Sequence, residues 1–477
     1  MNALTVFIVI GLVAIGVLGV AGRRATKLDE WTVSGRSFRR WRSWFLQAGE
    51  SLTTFSFLGL SGIAFGGGVS ATFALAYLSI SAIGLYFVAP RLWQLGKGRG
   101  YLTMADFFID RFDSPVLGKV VAVVGAIFLL PYLELQITGL GLIVELATGS
   151  ESSRGLSMVI ASALVILFVV WAGIRGVSRV AVLKDALMVV ALLIVVGGVA
   201  FGITGIPDVF AQVHHDQPVL LTLSAPGYDT TFFLTAVLVT SIGAGLNVFP
   251  HLWPPVFAAR SGEILRSNYT WLALYQLLLF APIIVGLGAI LILPADTTGN
   301  HVLLDTATHT LPDWLVAVVA ISGASAAMVP AAAIAMGIST LVSRNLINVG
   351  DEKTRMRMNT VVVAAAITLA LVFGLGGAGI ASLLLLTYGG LTQLAPAILV
   401  ALRGRVTVGA VPVLAGIVVG VLVVSWITFF EIPVGSWDSG FIALGPNLVV
   451  LIVAEAIRRR LPEQAGTSVE SEVPVVR

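Results

Sequence analysis

The chain contains no cysteine, so disulfides, thiolate metal sites and thiol chemistry are excluded from the outset. Charge is scarce too. Asp, Glu, Lys and Arg make up 11% of the 477 residues, against about 25% in an ordinary soluble domain. No long polar segment interrupts the chain, which excludes a soluble catalytic or kinase head. A membrane-embedded enzyme would need histidines and acids clustered at one depth, yet His214, His215, His301 and His309 all fall in gaps between apolar stretches. The net charge of +3 comes from loop Lys and Arg and points to no nucleic-acid partner.

What is abundant is apolar sequence, at 57%. Runs of about 20 apolar residues are the signature of membrane helices. Thirteen such spans are readable, at 3–22, 44–66, 70–90, 119–148, 155–173, 180–204, 230–258, 269–293, 313–343, 359–377, 379–401, 408–430 and 440–457. A β-barrel would show short alternating segments instead. The expected fold class is therefore an all-α membrane protein, with residues 1–460 as one transmembrane domain and 461–477 as a disordered polar tail. The first span lacks a basic leader and a small-residue cleavage site, so it reads as a helix, not a removed signal.

Lys and Arg set the expected orientation. The loop after the first span holds Arg23, Arg24, Lys27, Arg36, Arg39, Arg40 and Arg42, and the loop after the third holds Arg91, Lys97, Arg99 and Arg111. The gaps at 205–229 and 293–313 carry no Lys or Arg. With the N-terminus outside and the C-terminus inside, every Lys and Arg except Arg154 lies in the cytoplasm.

Two spans are interrupted. Span two reads WFLQAGESLTTFSFLGLSGIAFGGG, and span seven contains NVFPHLWPP. Both mix Gly or Pro with polar residues at membrane depth, where freed backbone groups survive only inside protein or beside a cavity. Broken helices in corresponding positions of two halves mark transporter binding sites. Spans two and seven lie five apart, as the first helices of two five-span repeats would. Pro330, in SGASAAMVPAAAIAMG of span nine, is a third expected break, because proline removes a donor and crowds the preceding turn.

GESLTTFSFLGLSGIAFGGG, LPYLELQITGLGLIVE and FPHLWPP resemble the sodium:solute symporter family over roughly residues 1–460. ESLTTFSFLG, LPYLELQ, VLKD and AAMVPAAA lean toward its bacterial monocarboxylate permeases. The resemblance implies a five-plus-five inverted-repeat bundle with broken helices two and seven, working by alternating access. It implies a sodium site built from the carbonyls of Gly49, Leu52 and Ala326 and from two span-nine hydroxyls. Here Val329 and Pro330 stand at the hydroxyl positions, and neither offers a side-chain oxygen to a hard cation. A shifted register would bring Ser325 or Ser339 in instead.

Other candidates follow. Asp185 matches a family acid near the ion's exit. Lys184 beside it either supplies charge or a proton at a vacated cation site, or snorkels to the surface. Glu50 and Glu134 are carboxylates within spans, which mark function by default. Glu134, at mid-span, is a better proton-carrier candidate than Glu145 near the outer end of the same span, and Glu50 is alternatively half of a structural ion pair. For the solute, Ser51, Thr53, Ser56, Gln136, Asn247, Phe249 and His251 are the expected contacts, with His251 also a candidate for a fixed interhelical hydrogen bond.

The expected activity is ion-coupled import of a small organic solute across a bacterial cytoplasmic membrane. Short monocarboxylates are favoured, an amino acid is the alternative, and no cofactor is needed. Sodium is the family's coupling ion and the proton is its rival. A non-transporting solute sensor would need an output domain, and no obligate protein partner is evident beyond membrane lipid.

Overall fold

The computed structural model describes residues 3–21, 27–148, 154–347 and 351–460. Arg23, Arg24 and the tail expected at 461–477 lie outside the described residues. A chain that enters lipid must satisfy its backbone internally, and this one does so with helices. They are α1 (Ala3–Val20), α2 (Arg40–Gly49), α3 (Leu60–Gly67), α4 (Phe73–Arg99), α5 (Met104–Phe112), α6 (Pro115–Thr148), α7 (Arg154–Gly198) and α8 (Thr230–Gly245). After these come α9 (Trp253–Ala258), α10 (Gly262–Tyr275), α11 (Phe280–Ala289), α12 (Asp313–Thr340), α13 (Glu352–Gly374), α14 (Ile380–Leu391), α15 (Ala410–Phe429) and α16 (Ser439–Arg460). Further helices, among them Ile206–Asp216, and turns connect them.

Among the described residues, nine continuous helical stretches are long and apolar enough to cross a membrane, and one bent pair would make a tenth. Five of the nine are composite. One runs through Phe55–Arg99 and another through Gly155–Ile203. At 45 residues, α7 would be roughly 67 Å long at 1.5 Å per residue, about twice the hydrocarbon core. It does not run straight. Gly173, at φ 52° and ψ −177°, adopts a conformation open essentially to glycine alone.

The centre of the bundle is α12. Of its apolar window 83% is buried inside the protein, against 28% for α13. Lipid tails are as apolar as leucine, so close helix packing in a membrane favours small residues. The Ala, Gly and Ser of α12 suit that demand, and α1, α6, α7 and α13 all pack against it.

Pro330 does not break α12, contrary to the sequence expectation; the helix is continuous from Asp313 to Thr340. Neighbouring helices can hold a membrane helix together across a proline. The covalent consequence remains. Pro330 has no N–H to give to the carbonyl of Ala326, four residues earlier.

The one described sheet is a two-stranded hairpin, β1 (Ser224–Ala225) with β2 (Tyr228–Asp229). It closes over the far end of α3. A Cβ on Gly67 would sit 2.5 Å from the Tyr228 ring, and the Ser70 hydroxyl donates to the Tyr228 carbonyl.

Candidate functional site

Two breaks in the helices organise the site. The first lies between α2 and α3. The α-helix stops at Gly49, and residues 55–59 then form a π-helical turn before α3 begins. The Ser56 hydroxyl caps the gap by donating to the Ser51 carbonyl at 2.9 Å. The second break lies between α8 and α9, whose axes are bent by 41°. Asn247 there takes the left-handed conformation at φ 58°, which asparagine tolerates better than most residues. Its carbonyl accepts from the Trp253 indole N–H at 2.8 Å.

At the first break the freed carbonyls meet a cation supplied by the chain itself. The Lys184 Nζ donates to the carbonyl of Gly49 at 2.5 Å and to that of Leu52 at 2.5 Å. The Asp185 carboxylate lies 3.1 Å from the same ammonium. Lys184 has no solvent exposure at all, so it does not snorkel. A buried ammonium is tolerated only when paired and hydrogen-bonded, and two carbonyls plus a carboxylate meet that need. The space beside Gly49 is shared by the Ala181 methyl, the Lys184 Nζ and a methyl of Val329, each 3.4–3.7 Å from where a Cβ on Gly49 would stand. The side chain at 329 thus reaches the cation seat with a hydrocarbon surface. Ala326 and Pro330 are also fully buried in α12.

The Ser325 and Ser339 hydroxyls donate within α12, to the carbonyls of Ser322 and Met336.

Next to the seat is a narrow cavity of about 60 Å³. Glu50, Ser51, Phe249 and His251 line it, together with Gln47, Ser81, Tyr132, Tyr269, Gln276 and Tyr388. Among its described lining residues there is no Lys or Arg. Glu50 and His251 face each other, with Oε2 and Nε2 3.4 Å apart and both side chains nearly sealed from solvent. Neither Glu50 oxygen receives a hydrogen bond. The aromatic wall is continuous: Phe249 meets Tyr388 edge-on at 4.6 Å between centroids, and Tyr132 lies 5.7 Å from Phe249 and 5.5 Å from His251. Close approach of α12 to this wall depends on Gly337, where a Cβ would stand 2.8 Å from that of His251.

The sequence candidates therefore divide. Ser51, Glu50, Phe249 and His251 share the cavity, while Gly49, Leu52, Lys184, Asp185 and Val329 gather at the cation seat. Thr53, Ser56, Gln136 and Asn247 are buried outside the lining, the last two with side-chain amides that lack partners. Glu134 stands apart. It packs against the end of α13, where a Cβ on Gly374 would be 3.5 Å from its Cγ. Sequence reasoning missed Tyr132 and Tyr388. Tyr132 sits inside the quoted LPYLELQ stretch and was within reach, whereas Tyr388 has no local signal and joins the wall only through the packing of α14.

The sequence and the fold have known relatives. The sodium:solute symporter family model matches residues 31–408. The uncharacterized symporter YhjB of Bacillus subtilis (strain 168) is 32% identical over 491 residues, covering 98% of this chain and 99% of its own length. A monocarboxylate transport permease protein of Rhizobium johnstonii is 28% identical, over 72% of this chain and 70% of its own. Among solved structures, a Na+-coupled sialic acid symporter in a substrate-bound outward-open state superposes with TM-score 0.79 at 15% identity, covering 96% of this chain and 97% of its own. A nucleobase-cation-symport-1 family transporter, closed around bromovinylhydantoin, superposes with TM-score 0.61 at 14% identity, covering 93% and 96%.

Proposed function

The chain belongs to the sodium:solute symporter family, and from that premise we propose that it is a proton-coupled importer of short monocarboxylates in which Lys184 takes the place of the sodium ion. One observation carries this: the Lys184 ammonium occupies the two carbonyls, Gly49 and Leu52, that the family resemblance assigns to the ion. A sodium ion and an ammonium cannot use the same pair at once. The methyl of Val329 beside them offers no oxygen in compensation.

Charge balance supports the proton. The buried groups around the seat and cavity are Lys184, with one positive charge, and Asp185 and Glu50, with one negative charge each when ionised. A carboxylate solute adds another negative charge in a water-poor space, which is costly unless compensated. A proton on Glu50 compensates it and turns Glu50 into a donor for the solute's oxygens, while a proton on His251 compensates it and makes the imidazolium the donor. Solute and proton then enter together. The narrow aromatic cavity suits a solute of a few carbons, and the monocarboxylate permease relative supports the class.

A second reading has its own support. The Glu50 oxygens receive no hydrogen bond and look onto Tyr132 and Phe249, an arrangement that also suits the ammonium of an amino acid.

The wider frame belongs to the same proposal. With α2–α3 and α8–α9 each taken as one crossing and α7 as two, the proposal has thirteen crossings of a bacterial cytoplasmic membrane, in five-plus-five repeats, with the N-terminus outside and the arginine-rich loops inside. Alternating access then moves the solute past the two breaks.

Uptake into proteoliposomes tests this. Labelled pyruvate should accumulate under a proton gradient without sodium, and a sodium gradient alone should drive nothing. Accumulation that follows sodium alone would sink the proton assignment. Accumulation of labelled alanine in preference to pyruvate would shift the solute to the amino acid class.

A further inference from the structure

We infer that the seam between α2 and α10 is a binding site for one anionic phospholipid. A groove of about 540 Å³ runs along this seam, lined by Arg40, Trp41 and Trp44 of α2 and by Trp271, Leu274 and Tyr275 of α10. A second hollow of about 660 Å³, shaped by Arg39, Arg40, Trp41 and Arg42, adjoins its charged end. Neither helix covers these side chains. Trp41 is 73% exposed and Trp271 60%, on the surface of the bundle.

Charge complementarity names the occupant. Arg39, Arg40 and Arg42 crowd the start of α2, and among the described residues none has a carboxylate within ion-pair distance. The charged neighbour that Arg42 does have is another guanidinium, that of Arg179, close enough to be influenced by it. The free N–H groups of the first turn of α2 point the same way. Unpaired guanidiniums beside a helix start select a phosphate. The rest of the groove is indole and leucine, which suits an acyl chain, and tryptophan favours the headgroup level of a bilayer. Basic pockets between membrane helices bind anionic headgroups in this manner. A soluble phosphate would satisfy only the charged end.

The site also has something to act on. The far faces of the same two helices line the central cavity, through Gln47 on α2 with Glu50 just past its end, and through Tyr269 and Leu272 on α10. Asn268, Ser43 and Gln47 form a buried polar knot between the helices, with Asn268 and Gln47 3.0 Å apart. A lipid in the groove clamps the two helices that wall off the cavity.

Native mass spectrometry of the purified full chain, with dioleoyl-phosphatidylglycerol and dioleoyl-phosphatidylcholine added at equal concentration, tests the site. The wild type should retain the glycerol lipid at least fivefold over the choline lipid. Arg40→Gln with Arg42→Gln should abolish that preference, and Arg40→Lys with Arg42→Lys should keep most of it. If the glutamine pair fails to fold, Trp41→Ala serves instead and should lower retention of both lipids two- to fivefold. Millimolar glycerol 1-phosphate should not displace the lipid. Equal retention by the wild type and the glutamine pair, unchanged retention in Trp41→Ala, or displacement by glycerol 1-phosphate would each overturn the proposal.

Discussion

The two broken helices leave backbone carbonyls stranded and satisfy them in different ways. Between α2 and α3 the acceptors are Gly49 and Leu52, and the donor is a charged amine from α7. Between α8 and α9 the acceptor is Asn247 and the donor is the neutral indole of Trp253, six residues along the same chain. The first donor is charged and reaches in from another helix, whereas the second is neutral and local. The second break is closed by its own chain, and the first is held shut by a charge from across the bundle.

The largest effect should come from removing the charged donor. Lys184→Met strands two carbonyls and leaves Asp185 without its cation, a loss of about 3–5 kcal/mol for a broken buried pair. Proton-driven uptake should fall by roughly 100-fold or more, about 2.7 kcal/mol in transition-state terms, and sodium should not restore it. Wild-type uptake in that variant would remove the distinction between the breaks. Trp253→Phe should cost less, about 1–3 kcal/mol for one unsatisfied acceptor. It should show as a lower melting temperature in detergent with proton dependence intact. If instead it abolished proton dependence, the second break would have to take part in coupling as well.

A smaller effect separates backbone from side chain at the second break. Asn247→Gly should keep the fold, since glycine accepts φ 58°, while Asn247→Ala should lose about 1–2 kcal/mol from the left-handed conformation. Thermal unfolding of the two variants side by side decides it, and equal stability would count against strain at this position. Least of all should change in Val329→Ser with Pro330→Thr while Lys184 is present. Sodium stimulation of uptake should emerge only when that pair is combined with Lys184→Ala. Stimulation in the double variant alone would mean that the ammonium does not block the seat.

Some of this was legible in the sequence. Both breaks announced themselves, because Gly, Pro and polar residues at membrane depth are costly in an unbroken helix and useful in an opened one. Lys184 and Asp185 were visible as costly charges, and Val329 as a missing hydroxyl. The contact between Lys184 and Gly49 was not visible. It joins residues 135 apart, and no local periodicity encodes it. Snorkelling remained open for Lys184 because sequence gives depth only to within a turn or so. Pro330 misled in the other direction: local chemistry predicts a break, and the neighbouring helices hold α12 straight through it. Gln136 and Asn247 were singled out for their polarity, but which buried surface an amide faces depends on helix rotation, and both turned out to lie outside the cavity lining.

The ammonium at the first break is tethered, and a tether changes what occupancy means. A seat filled from solution empties when the medium is dilute. A seat filled by a side chain sees an effective concentration fixed by the length of four methylenes and the rigidity of α7, and that concentration is the same in fresh water as in brine. Filling the seat has become a property of the fold and no longer of the surroundings.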